Sequence, residues 1–316
     1  MQKIEFRAMG CQITAILDGD EPQAVQALEQ VPGWFEEWEQ VLSRFRSNSE
    51  LMRLNASAGI PFKTGPVLWE VISAALHVAE WTGGFVTPTV LNSLEKAGYD
   101  RSFDQMQFAR DKPSVFQGFE IDLFEAGEIE DGLWQNIALD EHDKLITLPR
   151  GCKIDLGGIA KGWAASRAAL QLAPFGPALV DAGGDIGVSG PLCSGGSWIV
   201  EIADPFKMQS DLGLVALKNG GVATSGIDYR RWLKDGNWMH HIIDPRTNRP
   251  AETDLISVTV VSHDLTLAEA AAKMVMILGS EVGLSWLEDQ VGINALIALQ
   301  DGRLISSSGM HEYVVR

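Results

Sequence analysis

The chain has 316 residues, 46% of them hydrophobic, with 25 Lys and Arg against 42 Asp and Glu and a formal net charge of −17. That length buries a sizeable core and falls between one large domain and two small ones. So acidic a surface repels phosphate backbones and argues against a nucleic-acid partner, but not against one nucleotide held in a locally positive pocket.

Phe6 to Leu17 reads as a strand broken near Met9-Gly10. Pro22 to Phe45 carries Val25, Leu28, Phe35, Trp38, Val41 and Leu42 at rough helical spacing. Ser49 or Asn48 is placed to cap a short helix from Glu50 to Asn55, and Val67 to Thr82 is a second amphipathic helix ended by Gly83-Gly84. Residues 86–117 read as a loop-rich insertion, and Glu120 to Leu148 as short strands rich in acids. A helix over Ala160 to Leu172 follows, then strands at Ala178–Val180, Trp198–Ile202 and Leu214–Leu217, with Gly220 to Ser225 as a turn. The chain closes with a β-branched strand over Ile256–Val261, an apolar helix over Leu267–Leu278, and strands over Asn294–Leu299 and Glu312–Val315. Strands and helices mix without regular alternation, so the expected class is α+β: mixed sheets with packed helices and a cleft between two intertwined subdomains of one domain spanning 1–316.

Cys11, Cys152 and Cys193 lie far apart, form no CxxC pair and are expected to be reduced. No apolar leader precedes the first strand, and no stretch of about 18 uncharged apolar residues occurs. The expectation is a cytoplasmic protein without a membrane span.

Four segments bear chemistry. In Asp155-Leu156-Gly157-Gly158-Ile159-Ala160-Lys161-Gly162 a strand end meets a helix start through two glycines, with a lysine in the first turn. Free amides, close approach and one positive charge suit an anion, while a Gly-rich turn with a solvated lysine explains the same residues. In Asp181-Ala182-Gly183-Gly184-Asp185 the paired glycines make a tight turn, either a plain hairpin or a surface where Asp185 meets a ribose hydroxyl or an adenine amine. Thr224-Ser225-Gly226 before Arg230-Arg231 suits a diphosphate clamp. His240-His241 before Asp244-Pro245 offers His241 as a general base or as a structural histidine.

Taken in order, these segments resemble the ApbE family, the FAD:protein FMN transferases. The match also takes in Ala8-Met9-Gly10-Cys11, Leu42-Ser43-Arg44-Phe45, Leu54-Asn55, Thr82-Gly83-Gly84-Phe85 and Pro88-Thr89-Val90. The resemblance implies bound FAD, magnesium-assisted cleavage of its diphosphate, and transfer of FMN to a threonine in a short Asp-rich motif of an acceptor flavoprotein. It implies that Met9, Asn55, Lys161, Gly183, Gly184, Asp185, Thr224, Ser225 and Gly226 line the FAD cleft, that His241 is the base, and that the carbonyl of Ala160 faces the metal. Where the family places an Asp and, four residues later, a Thr on magnesium, this chain has Glu269 and Lys273. Either Lys273 occupies the metal position, held by Glu269 and acting in catalysis with it, or the two form a surface helix pair. Thr87 and Ser166 likewise replace acids usual in the family. Beside the transferase stand two other functions: a non-catalytic FAD-binding protein, and an FAD diphosphatase releasing FMN and AMP. One of the ten tryptophans is a candidate for stacking on the flavin or the adenine.

Overall fold

The computed structural model describes residues 1–106, 133–207 and 209–315. Its main sheet contains β1 (Gln2–Ala8), β2 (Cys11–Leu17), β3 (Ala178–Ala182), β4 (Ile186–Val188), β5 (Gly220–Gly226), β6 (Leu255–Ser262), β7 (Ile293–Leu299) and β8 (Leu304–Ser306), lying side by side in chain order. Each neighbouring pair is antiparallel. The remaining elements are inserted between strands of this meander, which makes the class α+β.

Two layers cover the sheet. On one face lie α1 (Pro22–Leu42), α2 (Glu50–Ala56), α3 (Pro66–Trp81), α5 (Ala160–Leu172), α6 (Leu265–Leu278) and α7 (Ser280–Glu288), with α5 and α6 on the central strands, while α4 (Leu91–Lys96) stands apart from this layer. On the other face a small sheet of Trp198–Ala203, Asp211–Leu217 and Val314–Val315 packs through Trp198, Val200 and Val215. Strand side chains alternate between faces, and β3 shows it: Ala178, Val180 and Ala182 join the helix-side core while Leu179 joins the other. In β6 a register irregularity between Leu255 and Ser257 resets that parity, so Leu255 and Val258 both face the helices. A satellite cluster of Leu94, Ala97, Tyr99, Trp232 and Ile243 stands beside the helix layer.

Several boundaries move. The first break becomes a two-residue hairpin, Met9 and Gly10 both taking positive φ (50° and 70°) between β1 and β2. Ser49 caps α2, its side chain accepting from the Met52 N–H at 3.0 Å. Gly220 to Ser225 is not a turn but most of the central strand β5. Its glycines reflect crowding, since a Cβ on Gly221 would stand 2.4 Å from the Ile186 carbonyl oxygen. Residues 308–312 form a 3₁₀ turn and only Val314–Val315 pairs as a strand, while β4 and α7 carried too short a pattern to be read. Within 86–106 the chain forms α4 and two 3₁₀ turns, and 133–148 holds the strands Ala138–Asp140 and Leu145–Thr147. The rest of the expected insertion and the segment from 120 to 132 lie outside the described residues. Among the described residues no helix is long and apolar enough to cross a membrane.

Candidate active site

A cavity of about 380 Å³ opens where the helix layer meets the satellite cluster. Arg44, Arg46, Lys161, Arg230 and Lys273 line it, against the carboxylates of Glu39 and Asp155. A cationic wall of this kind stands out in a chain of net charge −17. The aromatic share comes from Phe45, Phe85, Tyr99 and Phe103; none of the tryptophans lines the cavity.

One corner is held by Arg44. Its Nε sits 2.8 Å from Asp155 Oδ2, its Nη1 donates to the Tyr99 carbonyl at 2.7 Å, and its guanidinium lies 4.1 Å from the Phe45 ring centre. Among the described residues the buried Nη2 has no hydrogen-bond partner, an unmet donor on an arginine that lines the cavity. Asp155 is held in turn, its Oδ1 accepting from the Gly157 N–H at 2.9 Å.

The opposite corner is a buried chain of alternating charge. Lys161, in the first turn of α5, pairs with Asp185 and lies 3.6 Å from Glu269 Oε1. Lys273 Nζ donates to that same Oε1 at 3.0 Å, one turn along α6. Glu269 Oε2 accepts from the Gly162 N–H at 3.0 Å, so a carboxylate from α6 caps the start of α5. A Cβ on Gly162 would stand 2.6 Å from Glu269 Oε2, so a larger residue there would push the capping carboxylate aside. The helix start read as an anion site is thus already answered by an anion of the chain itself. Burial raises Glu269, but Lys273 and Lys161 outweigh it and pull it below its ordinary value. Burial pushes Asp185 up to about 6 in spite of Lys161. For Lys161, burial works against the charge, yet Asp185 and Glu269 raise it overall.

His241 also lines the cavity, and its buried Nδ1 has no hydrogen-bond partner among the described residues. Burial, then the charge of Arg230, holds the ring well below its usual value, so it is neutral at neutral pH. A hydrogen bond with the Arg230 backbone steadies it. Neighbouring His240 is a structural group, Nε2 lying 2.9 Å from the Ala251 carbonyl, and burial pushes it down to about 4.

That shift gives a prediction. His240 titrates near 6.5 in the unfolded chain, so on acidification the unfolded state takes the proton first. Stability present above about 6.5 is lost as pH falls toward the folded value, by at most about 3 kcal/mol for this partly buried ring. Asp185, raised when folded, works in the opposite sense over the lower part of that window. The check is therefore a comparison: the urea midpoint of His240→Gln is expected to fall less between pH 7 and pH 4.5 than that of the natural protein. Parallel curves would show that another group titrates.

Of the residues expected in the cleft, Met9, Ala160, Lys161, His241 and Lys273 line the cavity. The others stand elsewhere. Asn55 is buried against Ile154, donating to its carbonyl and accepting from its N–H, both at 2.9 Å. Gly183 and Gly184 form the β3–β4 hairpin turn with φ of 68° and 95°. Asp185 holds Lys161 rather than an open polar edge. Thr224 shares the β5 face of Val222, away from the helices, its Oγ1 2.9 Å from Thr259 Oγ1. Ser225 is buried and Gly226 ends the strand. Arg230 reaches the cavity, whereas Arg231 lies over the Trp238 ring. Glu269, only 1% exposed, sits just behind the wall, which rules out a surface pair with Lys273. Thr87 lines the cavity, and Ser166 instead packs against Gly187. Arg44, Tyr99 and Phe103 had no assigned role in the sequence; the only signal was an arginine flanked by an aromatic in a polar stretch.

A magnesium ion on Glu269 and the Ala160 carbonyl does not fit these residues. Magnesium requires a near-octahedral shell of oxygens. Both Glu269 oxygens are engaged by Lys273, Lys161 and Gly162, and an ammonium stands where an oxygen ligand is needed. A divalent ion that close to a lysine is repelled by several kcal/mol, on the order of 4 per unit charge at an effective dielectric near 20. Among the described residues no group of three or more His, Cys, Asp or Glu is arranged to hold a metal.

Fold and cleft together define an α+β protein whose cationic, aromatic-walled cavity lies at the start of a glycine-bordered helix. The chain belongs to the ApbE family, whose model matches residues 9–297. It is similar to the FAD:protein FMN transferase of Treponema pallidum (strain Nichols), 32% identical over 302 residues, 91% of this chain and 81% of the relative. The FAD:protein FMN transferase of Escherichia coli (strain K12) is 29% identical over 287 residues, 88% of this chain and 78% of the relative. Among solved structures, the ApbE protein of Thermotoga maritima matches with a TM-score of 0.82 at 26% identity, covering 100% of this chain and 99% of that one. The apo flavinyl transferase ApbE of Pseudomonas stutzeri matches in fold with a TM-score of 0.76 at 23% identity, covering 98% and 96%.

Proposed function

We propose that this chain binds FAD in the cavity, cleaves its diphosphate and transfers the FMN half to a threonine hydroxyl of an acceptor protein. The observation that carries the proposal is the wall itself, where Phe45, Tyr99 and Phe103 adjoin Arg44, Lys161, Arg230 and Lys273. Rings accept a flavin or adenine by stacking, and the cations face a diphosphate. The shared name of the relatives that match 91% and 88% of the chain supports it. The three cysteines, all free thiols, suit a reducing cytoplasmic setting.

In this reaction the acceptor oxygen bonds to the phosphorus on the flavin side. The bond from that phosphorus to the bridging oxygen breaks, and AMP leaves with the electron pair. The hydroxyl proton passes to His241 Nδ1, the nitrogen left as an acceptor when the other donates to the backbone. Such transfers need positioning and charge neutralisation above all.

Incubation with FAD and an acceptor domain bearing a short Asp-rich, threonine-containing motif tests the assignment. The acceptor is expected to gain the mass of one FMN and to stay fluorescent after denaturation, and an acceptor with valine for that threonine to remain unlabelled. Free FMN and AMP in equal amounts would mark a diphosphatase instead, and FAD recovered intact a binding protein.

A further inference from the structure

We propose that the Lys273 ammonium does the work of a divalent cation in this cleft, so that the diphosphate of the dinucleotide binds without metal. The inference rests on the flavin assignment above and concerns how the same site meets its charge.

The geometry separates the two lysines. Lys161 is held between Asp185 and Glu269 and keeps the buried carboxylates neutralised. Among the described residues the Lys273 ammonium hydrogen-bonds to Glu269 alone, at 3.0 Å to Oε1 and 3.4 Å to the backbone carbonyl one turn earlier. An ammonium carries three donors, so one remains for a ligand, and Lys273 lines the cavity. Its stem lies along Gly158, whose absent Cβ would stand 3.5 Å from Lys273 Cε. The Gly157-Gly158 approach to α5 thus gives the lysine room as well as admitting a phosphate.

Charge balance points the same way. Lys273, Glu269, Lys161 and Asp185 alternate in sign and sum to zero, so the buried cluster needs no further cation. Beyond that balance, Arg230 and Arg44 line the cavity, and Lys273 offers its remaining donor to the diphosphate. Arrangement by i,i+4 pairing on α6 holds the ammonium in place before any ligand arrives.

The decisive measurement uses the natural protein. FAD affinity, followed by quenching of flavin fluorescence, is expected to agree within about twofold in EDTA and in excess magnesium, since no ion takes part. Lys273→Met is expected to weaken binding by roughly tenfold or more in EDTA, the scale of one charge-assisted hydrogen bond. Lys273→Arg, which keeps the charge and the partner, is expected to retain binding and reports on folding. The pair Glu269→Asp with Lys273→Thr is expected to make binding magnesium-dependent. Tenfold tighter binding by the natural protein in magnesium than in EDTA would overturn the inference and leave the flavin assignment standing. Absence of FAD binding in both conditions would overturn the flavin assignment itself.

Discussion

Lys161→Met is expected to lower the unfolding free energy by about 3–5 kcal/mol at pH 8 and to remove FAD binding. Lys161 is the cation beside Asp185, which is 1% exposed, and it shares Glu269 with Lys273. Methionine fills the space but strands a buried carboxylate, and the penalty of an uncompensated charge exceeds the net worth of the pair. The deficit should depend on pH with a definite sign. Asp185 already stands near 6 with its lysine present, because burial raises it. Without the lysine it rises further, so the folded variant takes up a proton on acidification and recovers stability below that value. Urea titrations at pH 8 and pH 5 should show a smaller deficit at the lower pH. Adding Asp185→Asn should restore much of the loss at pH 8. A deficit under about 1 kcal/mol at pH 8 would mean that the pair is too well hydrated to hold the helix start in place.

His241→Ala is expected to slow FMN transfer by about 10²–10⁴-fold, the usual range for a general base, while FAD affinity changes little. His241 lines the cavity, its buried Nδ1 has no hydrogen-bond partner among the described residues, and burial with Arg230 nearby keeps the ring neutral at neutral pH. Single-turnover labelling of the acceptor, set against FAD titration of the same variant, separates the two quantities. A parallel fall in affinity and rate would make His241 a binding group rather than a base. An unchanged rate would assign the proton transfer elsewhere.

Much of the frame was open to reading because its causes are local. Helical spacing of apolar residues marks α1, α3 and α6, paired glycines mark the β3–β4 hairpin, and Ser49 marks a cap. The ordered series from Ala8-Met9-Gly10-Cys11 to His241-Ile242-Ile243-Asp244-Pro245 carries the resemblance to the family, whose model matches residues 9–297. Local signals failed where packing reverses their meaning. Gly220-Gly221 looks like a turn, yet the crowding of β4 and α6 makes glycine the residue that lets β5 run through the middle of the sheet.

The state of the cleft was decided by tertiary contacts alone. Sequence could place Glu269 and Lys273 one turn apart on a helix. It could not say that the carboxylate reaches Gly162, 107 positions away, and caps α5 before any ligand does. Nor could it pair Lys161 with Asp185, gather Arg44, Tyr99 and Phe103 on one wall, or turn Thr224 to the far face. Residue type and spacing dictate which elements form, because those choices rest on neighbours a few positions apart. Which charges meet, and which donors are left for a ligand, depends on how distant elements stack, and only the folded chain sets those distances.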